Sequence, residues 1–595
     1  AYLLDVERVP ARQILVLCFN HSSAIVIRKR LNKLVGRSAK GVMVTTYHGA
    51  AMRLAGISIR DMAESTQKID IDFDGIVKTA IALLKGENAV PGIEPDESRD
   101  RLLAGYSHIL VDEYQDIDED QYNMVSAIAG RTLEEDDRRL SIMAAGDDDQ
   151  NIFSFRGANV RFIRRFQEDY KTEPIYLVEN YRSSKYIIDA SNSLIRMNRD
   201  RMKGAHPICI NHERETGLPG GRWSQLDPVS QGRVQIVSVK DLPHQAAYIK
   251  SEIDRIKSLD PNTAWNDFAV LSRTKAPLAS VRTVLEHVGY PVKTTLDKGL
   301  PLHRVRELQS VIEWLTIKEK KNARASILQF DLNGLRGKRI INNWWRLIDM
   351  FFDTYREETS DSILPVEWAI DHLYEFLGEQ RREKVVGQGI FMSTIHSAKG
   401  TEFPHVFILD GDWSRPTGKE QWEEERRVMY VGMTRAEETL HLMKIPGKTN
   451  LFLREISGKF ALPLTFQVEM NIGRYANKTY EILGLDDLYL DYAGTFQQTH
   501  PIHEQLAKLE AGQCVSFCRK SERIEIRSDS GICVARLSKQ GVDKWKDRLD
   551  QILEVRIVAL LKRNQDDPEE DFQERINADS WELPVLEVVC QGNSI

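Results

Sequence analysis

The densest chemistry in the chain lies in His108-Ile109-Leu110-Val111-Asp112-Glu113-Tyr114-Gln115-Asp116. Ile109 to Val111 read as a buried strand that runs straight into a knot of acidic and amide side chains. In open α/β sheets, ligands sit in the crevice at the carboxyl ends of the strands. A carboxylate delivered there, Asp112, suits a hydrated Mg²⁺ held against phosphates. The next one, Glu113, can polarise an attacking water. Taken alone, an Asp-Glu pair after a strand is more often an acidic cap on the following helix.

Other predicted strand ends carry groups of matching use. Gln150 follows a Gly146-Asp147 turn, and its amide can sense a γ-phosphate or the water that attacks it. Arg182, in Asn180-Tyr181-Arg182-Ser183, can clamp developing phosphate charge with its planar fork. Phe153 and Phe155 alternate beside Arg156, an aromatic-plus-cation pattern on which unpaired bases stack. Phe19, His21 and His48 sit at two further strand ends and could line the same groove. His396, Lys399 and Glu402 are spaced three apart on a strand-to-helix turn, where a lysine suits phosphate as a point charge. Each has a plain competitor: a lone Phe is usually core, a loop His hydrogen-bonded or solvated, and a turn Arg a surface ion pair. Glu423 to Glu425 open a helix that ends in an exposed Arg435, and their charge order could simply complement the helix dipole.

These groups need a scaffold, and the pattern of elements supplies one. Short apolar runs at 14–20, 42–46, 108–113, 141–145 and 175–178 alternate with helix-like stretches, the first capped by Ser22 or Ser23. The alternation returns at 234–239, 268–273, 292–295, 390–394, 406–409 and 439–444. This describes parallel sheets covered by helices. Residues 57–105 read as a helical excursion, and 300–384 as an inserted helical subdomain with Trp344 and Trp345 in its core. At 595 residues the length prior suggests roughly four domains. The hydrophobic content of 42% and charged content of 28% are those of a soluble globular chain. No apolar run reaches the roughly 20 residues that span a bilayer, and no secretory signal opens the chain. Six scattered cysteines form no zinc set and suit a reducing cytoplasm. The net charge of −7 neither supports nor excludes nucleic acid, because a binding channel needs only local basicity.

In their order along the chain, these segments resemble the UvrD/Rep/PcrA-like superfamily 1A DNA helicases. Leu17–Ala24 and Thr46–Leu54 are similar to motifs Ia and Ib, and the acidic strand to motif II. Gly146–Ala158 resembles motif III, Asn180–Ser183 motif IV, Thr394–Phe403 motif V and Glu425–Ala436 motif VI. The resemblance spans about residues 12–445. It implies an α/β fold of two RecA-like parallel-sheet lobes of the P-loop NTPase type, with helical insertions and a small, mostly β C-terminal module. Lobe 1A would be 1–180, with its insertion at about 57–105. Lobe 2A would be 181–299 and 385–450, a reduced 2B-like insertion 300–384, and an accessory module 451–595. The resemblance further implies ATP and Mg²⁺, with Asp112 on the metal and Glu113 activating water. Gln150, Arg182 and Arg435 would touch the γ-phosphate, and Gly400 and Glu402 the nucleotide. Phe19, His21, His48, Phe153, Phe155, Arg156, His396 and Lys399 would lie along DNA. The implied activity is 3′–5′ movement on single-stranded DNA with duplex unwinding, in repair or recombination in the bacterial cytoplasm.

The departures set further expectations. No Gly-x-x-x-x-Gly-Lys-Ser/Thr loop occurs, although phosphate binding rests on that loop in the family. It would precede motif Ia, and the first residue is Ala1 rather than Met. The sequence therefore reads as an N-terminally truncated helicase, inactive without its loop, with a non-catalytic DNA-binding or scaffold subunit as the alternative. Cys18-Phe19-Asn20-His21 stands where Thr-Phe-Thr-Asn is common, and Thr401 where Leu is usual. Beyond 450, alternating segments at 512–538, 555–560 and 583–590 suggest a small β-barrel-like module. Its arrangement resembles the C-terminal end of bacterial RecQ–UvrD fusions, which implies a RecQ-like half elsewhere.

Overall fold

The computed structural model describes residues 1–57, 60, 73–88, 94, 97–133, 138–153, 161–295, 300–337, 342–383, 385–413, 416–447, 450–467, 478–568 and 570–592. The chain divides into two compact units. The first comprises residues 1–57, 72–294 and 388–476, and the second residues 58–71, 295–387 and 477–595.

The first unit contains, among the described residues, two larger parallel sheets and one short parallel pair. Strands β1 (Ile14–Cys18), β2 (Met43–Thr46), β3 (His108–Val111) and β4 (Ser141–Ala144) pair in the order β2-β1-β3-β4. β1 lies at the centre and is buried on both faces, as an unbroken apolar run in a helix-covered sheet must be. The His21–Val35 helix that follows is capped by Asn20, whose side chain accepts from the Ser23 N–H at 2.8 Å. The cap thus lies two residues upstream of Ser22 and three upstream of Ser23, because an Asn in extended backbone already meets that donor. The Tyr47–Ala55 helix starts in the same way, with the Thr46 hydroxyl accepting from Gly49 N–H at 3.1 Å.

The strand predicted at 175–178 does not form. Ile175 and Leu177 are 88% and 86% exposed. Only β5 (Glu179–Asn180) is a strand there, and it pairs with β6 (Cys209–Ile210). A β-prone run becomes a strand only when a partner offers a ladder. Among the described residues β4 pairs with β3 alone, and its Met143 is 62% exposed.

The second sheet is built from β7 (Val234–Ser238), β8 (Phe268–Ser272), β9 (Val292–Thr295) and the strands Ile390–Thr394, Phe403–Ile408 and Ala436–Lys444, all parallel. Ala461–Thr465 adds to β7 as a further parallel strand. The unit therefore runs on to residue 476, past the expected boundary at 450. Trp223, Phe268, Phe407, Ile249 and Met443 are buried in its core. At about 1.5–3 kcal/mol for each large apolar side chain, this core fixes where the strand ends fall.

The second unit joins four helices, Arg306–Ile317, Ala325–Arg336, Asn343–Thr359 and Val366–Glu383, to an antiparallel sheet. Along the sheet the strands are ordered Lys478–Ile482, Ser580–Gln591, Ile552–Asn564, Cys514–Lys520, Arg523–Arg527 and Cys533–Arg536. It is an open sheet rather than a closed barrel, since among the described residues the first and last strands do not pair. The helical stretch 300–384 and the C-terminal strands thus form one body, not separate modules. Trp344 and Trp345 are core, as read from the sequence, and Trp344 donates its indole N–H to the Val558 carbonyl at 2.9 Å. Arg306 ties the parts together by donating to both Glu582 carboxylate oxygens and to the Leu506 and Leu509 carbonyls. No helix among the described residues is long and apolar enough to cross a membrane.

Candidate functional site

β3 delivers Asp112 and Glu113 to one end of the first sheet, where β4 delivers the Gly146–Gln150 turn. Glu113 has a left-handed backbone (φ 53°), a conformation that costs a non-glycine residue energy and is held only by its surroundings. Its carboxylate accepts from the Gln115 amide at 2.5 Å. Gln115 is fully buried, and its carbonyl oxygen accepts from Asp147 N–H at 2.9 Å, so motif II is bonded to the next strand end. A Cβ on Gly146 would lie 2.8 Å from that same Gln115 oxygen, which is why the turn needs glycine. Burial, with the neighbouring Glu113 charge, raises the Asp112 carboxyl to about 6. Among the described residues no cation contributes to that shift, and hard oxygen beside Glu113 fits a divalent ion such as Mg²⁺.

The facing strand ends contribute basic groups. Arg435 is 3% exposed, not solvent-facing as its place after a helix suggests. Its guanidinium donates to the carbonyls of Val431 and Thr401, and at 3.1 Å to the Gln150 side-chain oxygen. Burial, then the nearby Arg182, lowers it to about 10. Arg182 forms an ion pair with Glu402 at 2.5 Å, so the predicted nucleotide contact Glu402 is engaged by a predicted phosphate contact. Both are partly exposed, and Asn180 fixes the turn by accepting from the N–H groups of Arg182 and Ser183. Gly400 takes a left-handed conformation (φ 81°) between Lys399 and Glu402.

Lys399, expected along DNA, is buried beside the acidic knot. Its ammonium pairs with Asp116, lies 3.8 Å from Glu113, and donates to the Gln150 backbone carbonyl at 2.5 Å. It also stands 5.5 Å from the centre of the Phe153 ring. Burial lifts the Asp116 carboxyl to about 7 although Lys399 pulls it down. Phe153 stacks on Phe19 with centroids 5.6 Å apart, and His396 approaches Phe153 at 6.2 Å. His48 is half-buried in the Tyr47–Ala55 helix. Phe155 and Arg156 lie outside the described residues, as does the side chain of His21.

Sequence reasoning missed the roles of Gln115, Asp116, Asp147, Arg201 and Lys203. The first three lie inside quoted motifs, whereas nothing local marks the last two. Glu423 and Glu425 are buried rather than solvated at a helix start. Glu423 accepts from the N–H groups of Arg199 and Asp200, and Glu425 takes a forked bond from Arg273.

Gln150 at a strand end of the first sheet thus meets Arg435 at the start of a strand of the second, and Asp116 meets Lys399. That is the α/β architecture of RecA-like lobes. The model of the UvrD/REP helicase N-terminal domain matches residues 59–171. The model of the UvrD-like helicase C-terminal domain matches 175–334 and 336–446. The chain belongs to the UvrD-like superfamily 1 helicases. Among its relatives, ATP-dependent DNA helicase UvrD1 of Mycobacterium tuberculosis is 24% identical over 75% of this chain and 77% of its own. DNA helicase II of Haemophilus influenzae and ATP-dependent DNA helicase PcrA of Staphylococcus aureus are each 24% identical, over 74% of this chain and 78% of theirs. These matches give no support to a RecQ-like half.

Proposed function

We propose that the chain is the motor of an ATP-dependent DNA helicase that moves 3′ to 5′ on single-stranded DNA and separates duplexes during repair or recombination in the cytoplasm. The observation that carries this reading is the bond from Arg435 to Gln150, which brings groups from both sheets to the edge of the Asp112–Glu113 pair. A scaffold would have no physical need to keep Glu113, Gln150, Arg182 and Arg435 together. Asp112 would hold Mg²⁺, which supplies charge neutralisation at the phosphates when bound. Glu113, aimed by Gln115, orients and deprotonates the attacking water. Gln150 and the two arginines meet the terminal phosphate, and their shift on phosphate release moves one sheet against the other.

DNA contact follows from Phe19, Phe153, His396 and Lys399. Two rings with centroids 5.6 Å apart are in contact. A base stacked between them needs about 7 Å, two aromatic contact distances. Entry of a base therefore parts Phe19 from Phe153 and disturbs Lys399, which joins this pair to Glu113 and Asp116.

Residues 1–595 contain no Gly-x-x-x-x-Gly-Lys-Ser/Thr loop, so the reading assigns the phosphate cradle to none of them. The test is DNA-stimulated ATP hydrolysis, measured on residues 1–595 and on the reading frame continued upstream. Turnover that needs the continuation, and is lost in Glu113→Gln, supports the reading; turnover unaffected by Glu113→Gln overturns it.

A further inference from the structure

Three consecutive aspartates, Asp147, Asp148 and Asp149, offer carboxylate oxygens within 4.8 Å of one another. Each is already occupied by one short irregular segment about fifty residues downstream. Arg201 donates a forked pair of bonds to Asp149 at 2.8 and 2.6 Å, both side chains buried. Met202 N–H donates to Asp148 at 2.7 Å. Lys203 reaches Asp147 Oδ2 at 2.6 Å, the same oxygen that accepts from the Gln150 amide at 2.8 Å. Burial would push the Asp147 carboxyl up, but Lys203 and these hydrogen bonds bring it below the usual carboxylate range. The cluster is therefore held in place rather than a cation site.

The gripping segment is itself fastened to the Lys419–Met433 helix, just ahead of Arg435. Glu423 accepts from two of its backbone N–H groups, Arg426 donates to the Asn198 side chain at 2.6 Å, and Arg427 donates to the Asp200 carbonyl at 2.9 Å. Gln150 is thus located from two sides by one helix: through Arg435, and through residues 198–203 acting on Asp147. Asp147 also donates its N–H to Gln115, the partner of Glu113, so it stands between the candidate base and the candidate phosphate sensor.

We infer that residues 198–203 are a positioning clasp, in which Lys203, supported by Arg201, sets the Gln150 amide through Asp147 and so couples the Lys419–Met433 helix to the hydrolysis step. This rests on the functional reading above. Lys203→Met keeps the aliphatic stem and is the variant to test, because Arg201→Ala would strand the buried Asp149. In the full chain, hydrogen–deuterium exchange at residues 147–151 rises in Lys203→Met and returns with Lys203→Arg. In the form that turns over ATP, kcat falls about tenfold while KM for ATP and the Kd for a single-stranded oligonucleotide hold, the signature of a misplaced group rather than a lost fold. In a Gln150→Ala background Lys203→Met has no further effect on kcat. Multiplicative losses, or exchange at 147–151 unchanged by Lys203→Met, overturn the clasp. If no form turns over ATP, the functional reading fails, and the exchange measurement alone decides the clasp.

Discussion

Glu113 is held in a strained backbone conformation with the Gln115 amide on its carboxylate and Lys399 nearby, and the rate should depend on it steeply. Glu113→Gln is expected to lower kcat for DNA-stimulated ATP hydrolysis by about 10²–10⁴-fold, with single-stranded DNA affinity retained. Steady-state kinetics with a parallel anisotropy titration separates the two. Phe153→Ala should act the other way round, weakening oligonucleotide binding by about 1–3 kcal/mol. At this scale the sequence was partly legible. Asp112 and Glu113 stand out because an apolar strand ends on them, and their acid chemistry is local. The pairing of Lys399 with Asp116 was not legible, because a lysine on a turn gives no sign of a carboxylate far away in sequence. Arg201 and Lys203 were invisible for the same reason: their partners lie far away in sequence.

At the level of elements, the second sheet of the first unit carries a neutral histidine pair whose cost grows in acid. His405 and His441 flank the Thr439 hydroxyl, at 2.9 and 3.3 Å. Burial lowers both to about 3, with Arg255 adding to the effect at His441. Their ordinary value is about 6.5, so below that pH the unfolded chain takes up protons that the fold refuses. The stability they permit is complete above about pH 6.5 and is lost as pH falls, at roughly 1.4 kcal/mol per pH unit for each histidine. Urea melts between pH 7 and 5 should therefore show a shallower pH slope in a His405→Gln/His441→Gln double variant than in the parent. In the second unit Arg306→Ala leaves Glu582 and two carbonyls without their donor, and should cost about 3–5 kcal/mol in a denaturation experiment. The hairpin strands of that unit were readable because their partners are near in sequence. The strand expected at 175–178 failed because strand formation depends on a neighbour that local composition cannot reveal.

For the whole molecule, the β4 edge is a liability. Among the described residues this strand pairs on one side only and exposes Met143, which makes it a template for another chain. Residues 1–595 should associate with rising concentration in sedimentation velocity, and Met143→Lys should reduce it. The boundary at 450 was misjudged for a related reason. Ala461–Thr465 looks like one more short β segment, yet its backbone completes a parallel sheet begun more than two hundred residues earlier.

Lys399 has one further implication. Its single ammonium is shared between the Phe153 ring and two carboxylates of the proposed hydrolytic site. Whatever ligand displaces it on one side must alter the binding free energy on the other. Thermodynamic reciprocity then fixes the bargain in both directions: the factor by which a nucleotide changes the grip on an oligonucleotide equals the factor by which the oligonucleotide changes the grip on the nucleotide. Neutralising this one residue should bring that shared factor towards unity, whichever of the two ligands is titrated first.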